Sequence, residues 1–164
     1  MHTSLRFNQA IFSLATLFAA AGFNLPAHAQ AAGQTEKAGT MKIVRGDVRV
    51  VDARGERALQ PGDAVTEADH VSTGAGGSAS MVMRDGTTMM LGPRSLVDLK
   101  TFNYNSTTEQ GNLVVSVLRG SLRMISGLIA HNNPQAVAVT TRTATIGVRG
   151  TDFIVEVDDE AKQQ

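Results

Sequence analysis

The sequence predicts an all-β domain, a compact two-sheet β-sandwich or β-roll of short strands, and three observations predict it. From Lys42 onward apolar residues come in short runs, several of them alternating with polar ones as half-buried strands require. Glycine-bearing turns separate the runs at intervals of roughly ten residues, a rhythm typical of all-β folds. Arg84-Asp85-Gly86-Thr87 is the strongest hairpin signal, because Asp-Gly suits a tight type I′ turn. Short alternating strands of this kind fit a sandwich, a roll or a short β-helix.

Residues 1–29 precede this pattern and have the three parts of a cleavable export signal. Arg6 supplies positive charge, Ala10 to Phe23 is an acid-free and mostly apolar run, and Ala27-His28-Ala29 supplies small residues at the cut. Spanning a bilayer takes roughly 20 apolar residues, more than this run offers. Cleavage is expected after Ala29, leaving Gln30 first and no transmembrane segment in the mature form, which is then periplasmic or secreted. Residues 30–41 are mostly Ala, Gly, Gln, Thr and Lys, too poor in apolar surface to offset the entropy of ordering them, and are expected to form a flexible leader.

The β domain is expected over residues 42–158. Its first run, Ile43 to Val51, carries Gly46-Asp47 and reverses at Asp52-Ala53-Arg54-Gly55 into a hairpin with Arg57 to Leu59. Pro61-Gly62-Asp63 forms a turn whose proline presets φ. Extended pieces follow at Ala64-Val65 and at His70 to Thr73, before the break at Gly74 to Gly77. Ala79, Met81 and Met83 share one face of a strand that pairs through Asp85-Gly86 with Thr87 to Leu91.

Ser95 to Phe102 gives the next strand, and Asn103 to Gln110 reads as an exposed loop. Leu113 to Leu118, Arg119-Gly120 and Ser121 to Ile125 pattern either a second hairpin or two stacked strands. Gly127 to Pro134 is a connection with room for one helical turn. Ala136 to Thr140, Ala144 to Val148 and Asp152 to Val157 complete the strands, and residues 159–164 form a solvated tail. A glycine preceded by Arg or Arg-Asp recurs at Gly46, Gly86, Gly120 and Gly150, which predicts a recurring corner.

Composition narrows the chemistry. There is no cysteine, which removes disulfides, Cys-zinc sites, thiol nucleophiles and lipid attachment at a cysteine. Fifteen Lys and Arg balance fifteen Asp and Glu, and aromatic residues are scarce, so nucleic acid is not an expected partner. His70 and His131 are distant from each other and from any G-x-S-x-G elbow, so neither a catalytic triad nor a histidine metal site is predicted. Gly74-Ala75-Gly76-Gly77-Ser78-Ala79 fits the loose G-x-G-x-x-A pattern, but a strand follows where a dinucleotide site needs a helix. Met81, Met83, Met89, Met90 and Met124 would suit a soft metal, yet at strand spacing they read as core filler. Asp47, Asp63, Asp69, Asp85, Asp98 and Asp152 offer carboxylates for a glycosidase pair only by abundance, several of them beside glycine for turn reasons. No cofactor or metal is expected.

From Val44 to Val157 the chain resembles the FecR domain. The resemblance is carried most by Ala144-Thr145-Ile146-Gly147-Val148-Arg149-Gly150-Thr151-Asp152-Phe153, which is similar to that family's closing signature. It is supported by Gly46-Asp47-Val48, Pro61-Gly62-Asp63-Ala64-Val65, Thr73-Gly74, Asp85-Gly86-Thr87, Leu91 with Ser95 and Leu96, and Gly120-Ser121-Leu122-Arg123. Arg142 stands where many members have proline.

The resemblance implies an exported sensing module of the kind found in the periplasmic part of anti-sigma regulators. With no retained span or cytoplasmic segment expected, only the binding module carries over. The expectation is a non-enzymatic domain that meets an envelope protein or a glycan. Arg119, Arg123, Arg149, Thr151 and Asp152 are the candidate partner-binding residues, and Gly46, Gly62, Asp85, Gly86, Gly120, Gly147 and Gly150 are the structural turns. A carbohydrate-active enzyme using a carboxylate pair, or a structural piece of a surface assembly, are the alternatives.

Overall fold

The computed structural model describes residues 36–148 and 152–158, all of them within the unit Gly33–Gln164. The export signal with Ala27 and Ala29, the corner at Arg149-Gly150 with Thr151, and the tail lie outside the described residues. The strands are β1 (Lys37–Arg45), β2 (Val48–Asp52), β3 (Gly55–Ala58), β4 (Ala64–Thr66), β5 (His70–Thr73) and β6 (Ser78–Met83), followed by β7 (Thr88–Leu91), β8 (Leu96–Asn105) and β9 (Gln110–Ile125). A helical turn, α1 (Leu128–Asn132), then precedes β10 (Val137–Thr140), β11 (Thr145–Gly147) and β12 (Asp152–Val157). The fold is all-β.

Two sheets share β9. The C-terminal part of β9 pairs with β7 and β12, giving the order β4-β1-β6-β7-β9-β12. Its N-terminal part pairs antiparallel with β8 and parallel with β10, giving β3-β2-β5-β8-β9-β10-β11. The strand crosses between them at Gly120, whose φ of 76° turns the backbone where a β-branched or bulky residue would be strained. Nine strands thus form one hydrogen-bonded path, with β10–β11 and β12 branching from it at β9, and the sheet curls around a single core.

Inward faces follow the period of two. In the first sheet Met41, Met81, Met89 and Met124 stand opposite one another on four adjacent strands, each at most 2% exposed. Val44, Ala79, Leu91, Leu122 and Val155 form the next row. In the second sheet Val50, Val71, Val97 and Val117 align in the same way. The methionines are therefore core, each fully buried side chain contributing about 1.5–3 kcal/mol. Met90 points to the other face, so the five methionines singled out in the sequence do not gather at one point.

Buried polar nodes lock the turns. Asp85, 1% exposed, accepts from the Thr87 backbone N–H at 3.0 Å and from the Thr87 hydroxyl at 2.7 Å. Thr87 Oγ1 in turn accepts from the Gly127 N–H, and the Leu128 N–H donates to the Asp85 carbonyl, which fixes the start of α1. Ser95, fully buried, accepts from the Ser121 N–H, and its hydroxyl lies 2.9 Å from the Gly92 carbonyl and 3.0 Å from that of Ser121. Its N–H donates to Thr73 Oγ1, so one serine ties β5, β8 and the corner of β9 together.

Four expectations are corrected. β1 begins at Lys37, inside the stretch assigned to a flexible leader, because Ala38 and Met41 reach the core and Gly39 fits against Met83. Asn103 to Gln110 is not wholly a loop: β8 runs to Asn105, which pairs with Gln110 across a tight reversal. Arg119-Gly120 is not a hairpin but the bend inside one 16-residue strand. Gly147 is not a structural turn, since it lies in β11 opposite Ala138 and does not have positive φ. Gly46, Gly62 and Gly86 do turn the chain with positive φ, so every described member of the Arg-Gly recurrence is a corner.

Candidate partner-binding surface

Edge strands are where a sheet can accept a further strand, because their outer N–H and C=O groups have no ladder partner. The sheets end at β3, β4, β11 and β12, of which β3, β4 and β11 have four, three and three residues. β12 has six, and it pairs with β9 alone among the described strands. Its alternation places Val155 in the core, while Asp152, Ile154 and Glu156 lie on the outer face. Ile154 is 67% exposed, the most exposed of the large hydrophobic residues described.

Arg123 and Asp152 come together beside Ile154. Arg123 Nε and Nη2 donate to the two Asp152 oxygens at 2.9 and 2.6 Å, a bidentate pair across the β9–β12 ladder. The guanidinium holds the Asp152 carboxyl below its usual range, and Asp152 raises Arg123. Both side chains are more than two-fifths exposed, so the pair orients the surface more than it stabilises the fold. Arg119 is exposed and has no ion-pair partner among the described residues, and its place beside the Gly120 corner separates it from Arg123 by the bend. Arg149 and Thr151 lie outside the described residues. Arg84 pairs with Glu36, donates to the Tyr104 carbonyl and lies 5.8 Å from the Phe102 ring centroid.

Sequence reasoning missed a polar cluster on the outer face of the second sheet. His70, Asp98, Ser116 and Thr140 are opposite one another on β5, β8, β9 and β10. His70 Nδ1 and Asp98 Oδ1 are 2.5 Å apart, and Lys100 Nζ lies 2.8 Å from Asp98 Oδ2. Burial raises the Asp98 pKa, but the Lys100 and His70 hydrogen bonds outweigh it and hold the carboxyl below its usual range. The signal was two polar residues, His70 and Asp98, inside strand runs, but only register could pair them.

Four other aspartates are held by their own turns. Asp69 accepts from the Thr66 N–H and hydroxyl, Asp85 from Thr87, and Asp63 from the Gln60 N–H and Arg57. Asp52 is lowered to about 2 by hydrogen bonds from the Arg54 side chain and backbone. Gly74 to Ser78 leads into β6, so the glycine-rich pattern does not open a helix. Among the described residues no group of three His, Cys, Asp or Glu could hold a metal, and no helix is long and apolar enough to cross a membrane.

A polar groove of about 1060 Å³ opens elsewhere, between the β8–β9 reversal and α1, where Asn103, Tyr104, Gln110 and Asn132 line it.

No curated protein and no solved structure matches the chain. The FecR protein family does match, over residues 69–163, beginning later than the Val44 that the motifs predict and running through β12. Of the motifs that carried the resemblance, Asp85-Gly86-Thr87 forms a buried turn, Thr73, Ser95 and Ser121 meet in one hydrogen-bonded node, and the described part of residues 144–153 spans β11 and the start of β12. With more than half of its 164 residues matched, the chain belongs to the FecR protein family.

Proposed function

We propose that this chain is a non-enzymatic sensing module of the cell envelope, exported to the periplasm or beyond, that docks a protein partner by strand addition along β12. The single observation behind it is the longest sheet edge, β12, with Ile154 67% exposed on it. Natural sheets blunt their edges with charge, and here Asp152 and Glu156 flank the isoleucine on the same face. Asp152 is neutralised by Arg123, whereas Glu156 has no ion-pair partner among the described residues. A matching strand would set an apolar side chain against Ile154 and a Lys or Arg against Glu156, since opposite charges across a ladder contribute roughly 0.2–1 kcal/mol.

Family membership supports the regulatory part of this reading, because FecR domains are protein-interaction modules in envelope signalling. The turn-bound carboxylates support the non-enzymatic part.

The test is selection of dodecapeptides from a random display library on the immobilised protein. Enriched peptides should alternate apolar and basic residues, and Ile154→Lys and Glu156→Lys should each weaken them at least tenfold. Peptides without that alternation, or binding indifferent to both changes, would refute the docking mode. Export is tested separately: N-terminal sequencing of the secreted chain should begin at Gln30, and a start at Met1 would overturn that part.

A further inference from the structure

The groove beside α1 is built from the wrong materials for an apolar ligand and for an anion. Its lining is dominated by side-chain amides and carboxylates, with the chain's single tyrosine among them. Its volume, about 1060 Å³, sits at the upper end of the roughly 300–1,000 Å³ typical of small-molecule sites.

The floor is set by a close approach. A Cβ on Gly111 would lie 2.2 Å from the Asn103 carbonyl and 2.9 Å from Ile129 Cδ1, so α1 sits directly on the β9 backbone. Asn132 Nδ2 donates to the Glu109 carbonyl at 3.4 Å and to Glu109 Oε2 at 3.2 Å, which ties the helix to the tip of the hairpin. Both walls are therefore fixed before any ligand arrives.

Fixed walls leave a defined set of open groups. Asn132, oriented by Glu109, keeps its carbonyl oxygen free among the described contacts, and the neighbouring Asn133, whose Oδ1 accepts from the Gln135 N–H, keeps its amide N–H groups free there. Tyr104 is half-buried against the core, and burial together with Glu109 and Asp85 raises its pKa, so the hydroxyl stays protonated. No Lys, Arg or His lines the groove, while Glu36 and Glu109 do.

We infer that this groove binds a neutral oligosaccharide. An amide presents a donor and an acceptor side by side, which matches adjacent sugar hydroxyls that each donate and accept. The tyrosine offers an apolar body with a polar tip, suited to the C–H face of a pyranose ring. Arg84 balances Glu36 from outside the lining, so the Glu109 carboxylate, which has no ion-pair partner among the described residues, and the lack of a lining cation disfavour sulfated or uronate chains. The groove shares no residue with the β12 edge, so its failure would leave that docking mode standing.

The experiment is isothermal titration calorimetry of the full exported chain against chitotetraose, maltotetraose and cellotetraose, with tetragalacturonate as the anionic comparison. At least one neutral tetrasaccharide should bind in the micromolar to low-millimolar range, with tetragalacturonate at least tenfold weaker. Tyr104→Ala should weaken it at least tenfold, Tyr104→Phe by less than threefold, and Asn132→Ala by threefold to tenfold. Glu56→Gln, on β3 at the far edge of the same sheet, should leave it unchanged, and circular dichroism melts show which variants are folded. The inference is overturned if no neutral tetrasaccharide binds at 10-fold molar excess in the millimolar range, if the uronate binds as tightly, or if folded Tyr104→Ala and Asn132→Ala bind like the parent.

Discussion

Replacing Gly120 by alanine should be among the most damaging single-methyl changes in this protein. Two costs add. A residue with a Cβ at φ 76° pays about 1–2 kcal/mol for the left-handed backbone. The new Cβ would also lie 2.5 Å from both Cα and Oγ of Ser95 and 2.8 Å from its backbone nitrogen, where ordinary contact begins near 3.4 Å. Ser95 cannot retreat freely, because Thr73, Gly92 and Ser121 all hydrogen-bond to it. Moving it would weaken two or three bonds at about 0.5–1.5 kcal/mol each.

The expected loss is about 3–5 kcal/mol, a large share of the 5–15 kcal/mol typical of a domain. Gly86→Ala is the matched control, since φ is 85° there but nothing lies within 4 Å of the added methyl, leaving only about 1–2 kcal/mol. Urea unfolding followed by far-UV circular dichroism reads both, tryptophan being absent. Gly120→Ala should lower the midpoint by at least about 1 M more than Gly86→Ala does, at slopes near 1–3 kcal/mol/M. Equal losses at the two positions would show that the corner of β9 is not held against Ser95 as described.

Two further outcomes follow from the core and from the carboxylates. Met89→Ala should cost about 2–5 kcal/mol by opening a cavity in the methionine row, while Met89→Leu should cost under about 1.5 kcal/mol because volume is kept; thermal melts of the two variants decide it. Asp52, Asp98 and Asp152 all have lowered pKa values in the fold, Asp52 at about 2 against 3.8. The Asp52 stabilisation is complete above about pH 4 and is lost as the pH falls toward about 2, and those of Asp98 and Asp152 are lost on the acid side of the usual carboxylate range. The melting temperature should drop across that window, and Asp52→Asn should flatten part of the drop; an unchanged profile would contradict the Arg54 hydrogen bonds.

Most of the strand pattern was legible because alternation is local. His70 to Thr73 and Asp152 to Val157 appear in the structure as β5 and β12 with the predicted bounds, and Asp85-Gly86 does turn the chain, though not as the expected type I′ turn, because Gly86 has positive φ and Asp85 does not. What sequence could not give was pairing. Leu113 to Leu118 and Ser121 to Ile125 read equally as two strands, and only the Ser95 node shows that Gly120 bends one strand between sheets. Lys37 to Thr40 has too little apolar surface to announce a strand, yet Ala38 is buried in the core and Gly39 is needed because a Cβ there would meet Met83 and the Val82 carbonyl. The Arg123–Asp152 pair joined two candidate residues 29 positions apart, whereas the Asp98 cluster and the amide groove arise from register and were invisible.

The β12 edge is tested most directly by a photo-crosslinking side chain placed at Ile154 in the intact producing cell. A discrete protein adduct should form, should fall several-fold when Glu156→Lys is added, and should be absent with the crosslinker at Glu56 on the edge strand β3. No adduct at position 154, or an equal one at position 56, would contradict docking along β12.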